Sequence, residues 1–228
     1  MKLSLTLLII FLSVLLNAQE LDRLVSFGPA TTSYSGDLNN SYSKLSGGFN
    51  IQIVTNRDKL IQTSLELNIG NIVGQNSSFQ SNKNPQREPN TFFETGFGSF
   101  SFNLRAYLYR KYNFKFYLSQ GIGGMRFVPK NDLEEKLIDK PITRNSDKET
   151  YSNLVIIFPR ALGISYLFKN DYGISLDISQ LTPMTDYIDN ISQLGNPNDY
   201  DQILMYRLGV MIPIIYKKEK TKVEETTD

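Results

Sequence analysis

Apolar and polar residues alternate with a period of two along most of this chain, and no other feature constrains its fold as strongly. The clearest run is near the end of the sequence, where every second residue from Leu204 to Tyr216 is apolar or aromatic. Successive side chains of a β-strand point to opposite faces, whereas those of a helix repeat about every 3.6 residues. The pattern therefore predicts strands that each have one apolar face.

The same alternation is present in eight segments of the chain. They begin near Leu24, Gly47, Ile61, Ser99, Phe114, Leu154, Tyr172 and Leu204. In the fifth segment the apolar row is interrupted by Gln120. No apolar run long enough for a membrane-spanning helix follows residue 20, which excludes a helical membrane protein.

The sixth segment does not keep a single phase. Val155 and Ile157 fit one phase of the alternation, whereas Leu162 and Ile164 fit the other. An extra residue in the strand would reconcile the two halves, and proline within a sheet is found mainly at edges and bulges. The sequence therefore predicts a β-bulge near Pro159.

Short and long connections alternate strictly between the eight segments. Those near residues 56–59, 112–113 and 169–171 are tight, whereas those over 37–46, 75–96, 128–152 and 182–201 are long and rich in Asn, Ser, Asp and Pro. Outer-membrane barrels have short periplasmic turns and long external loops. We therefore expect an all-β, eight-stranded, antiparallel up-and-down transmembrane β-barrel with both termini in the periplasm. A soluble lipocalin-like barrel shares the alternation and remains an alternative.

Aromatic residues favour the membrane over the soluble alternative. Eight of them lie beside the short connections or at the end of the last strand, where a membrane barrel carries an aromatic girdle. They are Tyr107, Tyr109, Tyr112, Phe114, Phe116, Phe168, Tyr172 and Tyr216. This placement predicts a barrel that is surrounded by outer-membrane lipid.

Four ionisable residues fall on the small and polar face of the strands: Glu66, Arg105, Asp177 and Arg207. A lysine or arginine on the lipid face at mid-depth costs about 2–4 kcal/mol, so the polar face should line the lumen. We expect Glu66 to pair with Arg105 there. Asp177 should likewise pair with Arg207 or with Arg160.

The two ends of the chain differ from the barrel. Residues 1–18 combine a lysine, an apolar run and a small residue before the expected cut after Ala18, which is typical of a signal peptide. The apolar run is too short to supply the ~20 residues of a spanning helix. The barrel should then occupy residues 19–216. Tyr216 ends the last predicted strand with an aromatic ring, which resembles the terminal-strand signal that the barrel-assembly machinery recognises in outer-membrane proteins. Residues 217–228 are predicted to be a disordered periplasmic tail or, alternatively, a docking peptide for a periplasmic partner.

Enzyme chemistry finds little support in the composition. The sequence has 24 Lys and Arg against 23 Asp and Glu, which argues against a nucleic-acid surface, and it has no His and no Cys. A hydrolytic triad and most transition-metal sites are therefore improbable, and we predict no catalytic, cofactor or metal site. Asp186 and Asp189 could act as an acid–base pair, but the sequence predicts instead that they lie on the solvated face of an external loop.

Two functional hypotheses follow. The first is a structural or anchoring barrel that presents loops or a tail to partner proteins. The second is a narrow pore or a carrier of a small ligand, which needs an open lumen. Eight strands leave room only for side chains or one small ligand, and the lumen should be obstructed by Arg105, Tyr107, Tyr117 and Arg207. The anchoring hypothesis is therefore favoured.

Three groups of residues carry a resemblance to a known family. They are Tyr34-x-Gly36-Asp37-Leu38, then Gly70-x-Ile72-x-Gly74, then Arg87 followed by Phe92-Phe93-x-Thr95. Together with the Asn17-Ala18-Gln19 end of the signal peptide, they resemble the small outer-membrane barrels of Bacteroidota, a group that includes the PorG-like barrels associated with type IX secretion and gliding. The resemblance covers residues 24–127 and implies a non-enzymatic anchor for periplasmic secretion-complex proteins. Asp37 is expected to cap a turn.

Overall fold

A computed structural model describes residues 23–214, except for residues 40, 57–58, 82 and 197–199. The predicted signal peptide, the terminal-strand signal at Tyr216 and the predicted tail lie outside the described residues. Eight strands account for most of the described chain. They are β1 (Arg23–Ser35), β2 (Leu45–Thr55), β3 (Ile61–Gln75), β4 (Phe92–Lys111), β5 (Phe114–Lys130), β6 (Leu154–Leu167), β7 (Gly173–Pro183) and β8 (Gln202–Ile214).

Each strand pairs antiparallel with its neighbour in sequence, and β8 pairs with β1, so the sheet closes into a barrel. The predicted eight-stranded antiparallel up-and-down barrel is confirmed. Between β5 and β6 there are two short 3₁₀ turns, Leu137–Asp139 and Pro141–Thr143. Neither they nor any other helix in the described part of the chain could cross a membrane.

The strands are staggered around the barrel. A row of register partners that starts at Ser33 of β1 returns to β1 at Arg23, ten residues away. A stagger of this size tilts the strands by roughly 40° to the barrel axis, so each residue advances about 2.5 Å along the axis. The long loops emerge at one end of the barrel, and the short turns lie at the other end with the first and last described residues.

Apolar side chains face outward and small or polar ones face the lumen, as the alternation predicts. On β3, for example, Leu67 is 44 % exposed on the outer wall, whereas Glu66 is 2 % exposed inside the barrel. The pattern changes along the axis. Toward the long loops the inward-facing residues become apolar, as with Ile72 and Phe93, which are completely buried.

The predicted bulge near Pro159 is wrong. Gln120 pairs with Arg160 and Gly123 pairs with Ile157, so the register between β5 and β6 is the same on both sides of Pro159. A single phase runs through β6. Because the lumen is apolar near the long loops, Ile157 faces inward, whereas Leu162, nearer the short turns, faces outward. One register shift does occur elsewhere, between Tyr107 and Tyr109 on β4.

Tyr107 is a second correction, because it does not belong to the aromatic girdle. It faces the lumen, is 5 % exposed and contacts Tyr117 edge-to-face with ring centroids 5.9 Å apart. The register shift after Tyr107 turns the next residues outward. The described aromatic side chains that are exposed beside the short turns are Tyr109, Tyr112, Phe114, Phe168 and Tyr172.

Candidate functional site in the lumen and at the mouth

Arg207 of β8 is the centre of a charged network across the lumen. Its Nη1 donates to Glu66 Oε2 on β3 at 2.8 Å, and its Nε donates to Asp177 Oδ1 on the adjacent β7. Asp177 Oδ2 also accepts a hydrogen bond from the Tyr117 hydroxyl, at 3.0 Å. Each of the three charged side chains is 2 % exposed. Arg207 therefore joins strands from opposite parts of the sequence.

The second lumenal cation, Arg105, is held mainly by uncharged partners. Its Nη2 donates to Gln52 Oε1 at 2.7 Å, and its guanidinium carbon lies 4.0 Å from the centre of the Tyr117 ring. The distance from Arg105 Nη2 to Glu66 Oε1 is 3.9 Å. The structure thus brings the expected pair together, but Glu66 is closer to Arg207 than to Arg105.

Arg160 is the exception among the predicted lumenal residues. It faces outward from β6 and is exposed, so it cannot approach Asp177, which lies inside the barrel. The expectation that Arg160 is lumenal is therefore wrong. The remaining four residues, Glu66, Arg105, Asp177 and Arg207, form what we call the lumen network, with two carboxylates balanced by two guanidinium groups.

Above the lumen network, apolar side chains from the strands and loops close the long-loop end of the barrel. These completely or nearly completely buried residues form the mouth cluster: Tyr34, Leu38, Ile72, Phe93, Phe127, Leu137, Ile157, Leu181, Ile188, Ile191 and Ile203. Ile188 and Ile191 belong to the β7–β8 loop, which folds inward over the barrel. This burial of apolar surface stabilises the closed mouth.

A phenol and two carboxyl groups lie within the mouth cluster. The Tyr34 hydroxyl is 2.6 Å from Asp189 Oδ2 and 2.7 Å from Asp201 Oδ1. The Ile191 amide donates to Asp189 Oδ1, and the Ile188 amide donates to Asp201 Oδ2, both at 2.8 Å. A phenol has one hydrogen to donate, so both short contacts are hydrogen bonds only when one carboxyl group is protonated.

The electrostatics of the mouth agree with this geometry. Burial, followed by the negative charge of Asp37, raises the pKa of Asp189 to about 7. Burial and the nearby charges of Asp189 and Asp186 raise the pKa of Asp201 well above its ordinary value. The pair therefore retains a proton to a much higher pH than exposed carboxyl groups do.

The prediction that Asp186 and Asp189 lie on a solvated loop face is wrong. Asp186 is 4 % exposed and Asp189 is completely buried. Their loop is long and polar in sequence, but it also contains Ile188 and Ile191, and burying these side chains draws the neighbouring carboxyl groups inward. Polar loop composition does not reveal this, because the partners of the loop are distant in sequence.

Most residues that carry the family resemblance contact the β7–β8 loop or the residues that hold it. A Cβ at Gly36 would overlap the Tyr34 hydroxyl and Asp201, so only glycine leaves room for them. Asp37 Oδ1 accepts from the Asn196 amide at 3.1 Å. This bond crosses to the β7–β8 loop and is not the local bond by which an aspartate caps its own turn. The Thr95 hydroxyl donates to the Ile188 carbonyl at 2.6 Å.

Arg87 is the outlying member of this set. Its Nη1 is 2.7 Å from Asp147 Oδ1, at the surface between two long loops. No group of three or more His, Cys, Asp or Glu side chains within the described ranges is arranged to hold a metal ion.

The chain is thus a closed, eight-stranded antiparallel barrel whose lumen holds a charged network and whose mouth is covered by its own loops. Neither a protein-family model nor a curated protein matches it.

Several solved structures are similar to it. Ail, the attachment invasion locus protein of Yersinia pestis, in complex with the heparin analogue sucrose octasulfate, has 12 % identity and a TM-score of 0.49, covering 86 % of this chain and 100 % of Ail. Neisserial surface protein A has 10 % identity and a TM-score of 0.49, covering 85 % of this chain and 97 % of its own. The outer membrane enzyme PagL has 14 % identity and a TM-score of 0.41, covering 84 % and 99 %. Fold likeness at this level carries no information on activity or ligand.

Proposed function

We propose that this chain is a non-enzymatic barrel of the bacterial outer membrane that anchors partner proteins. The observation that carries the proposal is the combination of an apolar outer wall with a filled and covered interior. The wall fits lipid and the interior leaves no room for bulk flow, so the surfaces available for function are the loops and the chain ends.

The outer wall supports the membrane location. Large apolar side chains are exposed on every strand, among them Phe27, Phe49, Leu67, Phe100, Leu118, Leu162, Leu176 and Leu208. A soluble protein rarely exposes a contiguous apolar surface of this extent. On β6 the outward residues from Ile156 to Tyr166 span about 25 Å along the axis, the height of the apolar band of outer-membrane barrels. The soluble lipocalin-like alternative would leave this band in water.

The filled interior favours an anchor over a pore. The side chains of Arg105 and Arg207 are at most 2 % exposed. Tyr117 is completely buried and contacts both Arg105 and Asp177. A conducting barrel would need water beside these groups. The mouth cluster adds an apolar layer above them. A pore would therefore require both layers to move.

The cellular role is inferred from the resemblance to the small barrels of Bacteroidota. On that basis the partners are periplasmic secretion-complex proteins of a type IX system, and the barrel-assembly machinery inserts the chain after cleavage of the signal peptide. Both termini then lie in the periplasm. No cofactor is needed for this role.

The membrane location and the closed lumen can be tested together. The purified protein should fractionate with outer membranes, migrate faster on a gel before boiling than after it, and give no conductance steps in a planar bilayer. Recovery in the soluble periplasmic fraction would support the lipocalin-like alternative. Defined conductance steps from heat-modifiable protein would instead support the pore.

A truncation tests the anchoring role. Deleting residues 218–228 should leave assembly and stability unchanged, because the predicted tail has too few apolar residues to pack. Tyr216→Ala should reduce insertion into membranes. Loss of co-purifying periplasmic proteins on truncation would place the docking peptide in the tail, whereas failure of the truncated chain to assemble would contradict the boundary at Tyr216.

A further inference from the structure

One charged residue lies on the part of the outer wall that the proposed location exposes to lipid. Arg160 points outward from β6 and is exposed, with Phe158 and Leu162 on the same face of the strand on either side of it. Within the described residues it forms no ion pair. An arginine in this position is costly in a bare hydrocarbon environment. A compensating anion at Arg160 would remove that cost.

Arg160 belongs to a row of polar side chains that crosses the wall obliquely. Its register partners are Gln120 on β5 and Gln180 on β7, and both face outward. Gln180 Nε2 donates to Gln202 Oε1, which also accepts from the Tyr42 hydroxyl at 3.0 Å. These contacts hold the Gln180 amide toward the long-loop end, whereas the Gln120 amide donates to the Pro159 carbonyl at 3.2 Å.

An open groove of about 770 Å³ follows this row. At one end it is lined by Tyr42 and Gln180, beside the long loops, and at the other by apolar side chains that include Leu104, Leu118 and Leu162. Ala106 makes the groove deep, because its small side chain faces outward and is part of the lining. Arg160 lies about 10 Å inside the Ile156 edge of the apolar band, so its long side chain must extend toward Gln180 and Tyr42 to bring the guanidinium group to the outer surface. The apolar part of the groove lies nearer the short turns.

Charge complementarity decides between occupants. The described strands contain three carboxylates, of which Glu66 and Asp177 face the lumen and Glu94 lies near the long-loop end of β4. A second copy of the chain would therefore bring no described carboxylate to the depth of Arg160. An amphiphile with an anionic headgroup matches both parts of the groove.

We propose that this groove binds an anionic lipid, with the phosphate of its headgroup on Arg160 and one acyl chain along Leu104, Leu118 and Leu162. The inference rests on the membrane location proposed above. It assigns the chain a lipid site on its outer wall, separate from the lumen network and from the mouth.

The test uses the full chain, refolded and shown to be heat-modifiable, in phosphatidylcholine bilayers with trace spin-labelled phosphatidic acid or spin-labelled phosphatidylcholine. The wild type should associate with phosphatidic acid about fivefold more strongly than with phosphatidylcholine, the effect of one arginine near an anionic group. Arg160→Leu should bring this ratio close to one, whereas Arg160→Lys should retain part of the preference. Arg126→Leu, which removes an outward arginine from β5 outside the polar row, should leave it unchanged.

An unchanged preference in Arg160→Leu would overturn the proposal, as would an equal loss in Arg126→Leu, which would indicate general surface attraction. Displacement of the labelled lipid by inorganic phosphate would assign the site to a free anion. A polypeptide that co-purifies with the wild type but not with Arg160→Leu, without a change in lipid preference, would assign the groove to a protein partner. Failure of the protein to become heat-modifiable would contradict the membrane location itself.

Discussion

Arg207→Met should lower the free energy of unfolding by about 3–5 kcal/mol, the typical cost of leaving buried charges without their partner. The substitution keeps much of the side-chain volume but leaves Glu66 and Asp177 with only Arg105 nearby, and Arg105 is 3.9 Å from Glu66. Urea titration of the detergent-solubilised protein, followed by the heat-modifiable gel shift, would measure the change.

A second variant separates lost charge balance from lost packing. Arg207→Met combined with Asp177→Asn leaves one carboxylate and one guanidinium group, so it should recover most of the lost stability. Arg126→Met removes an exposed charge and should change stability by no more than about 0.5 kcal/mol. If the double variant is no more stable than Arg207→Met, the loss comes from packing and the charge argument is wrong.

Hydrogen exchange at the mouth should accelerate as the pH rises from about 4 to about 7, after correction for the intrinsic pH dependence of exchange. In the closed mouth the pKa of Asp189 is about 7, against an ordinary value of 3.8 once the loop opens. Between these two pH values the closed state therefore holds a proton that the open state has lost. The stabilisation of the closed state by this proton is fully present below pH 3.8 and is lost as the pH rises through about 7. Each linked proton should raise the opening constant by at most about tenfold per pH unit.

The Ile188 and Ile191 amides report this opening, because they donate to the two carboxyl groups. Asp189→Asn combined with Asp201→Asn removes both buried carboxyl groups, so the corrected exchange of this double variant should be nearly independent of pH in the same window. Asp132→Asn changes an exposed loop carboxylate and should behave like the wild type. Corrected protection that rises with pH in the wild type would contradict the shared proton at Tyr34.

The strand pattern of this barrel could be predicted because it depends on local periodicity. A long apolar row, such as Leu204 to Ile214, follows whenever a strand has lipid on its outer face and a polar lumen on its inner face. The same alternation places Glu66, Asp177 and Arg207 in the lumen. It does not specify which charged side chains meet across the barrel, because that depends on the stagger of the strands. Glu66 consequently pairs more closely with Arg207, on a distant strand, than with Arg105.

The mouth and the groove could not be predicted from sequence, since both break the local rule. Near the mouth, apolar residues such as Ile157 face inward. In the sequence this looks like a change of phase, which predicts a bulge that the structure does not contain. Gln120 and Arg160 interrupt two separate apolar rows, and only the register between β5 and β6 shows that the interruptions adjoin. Asp189 is buried by loop contacts to Tyr34, which lies on another part of the chain.

The order in which the barrel is completed follows from where its interior contacts originate. Tyr34 is on the first strand, whereas Asp201 directly precedes the last strand and Arg207 is part of it. Until β8 pairs with β1, the carboxylates of Glu66 and Asp177 have no Arg207 and the mouth has no Asp201. We therefore expect the interior of an assembling chain to remain hydrated and negatively charged until β8 pairs with β1. The sheet should then close, the lumen be neutralised and the mouth be covered together. Chains that stop before β8 pairs with β1 should differ from the finished barrel in all three properties.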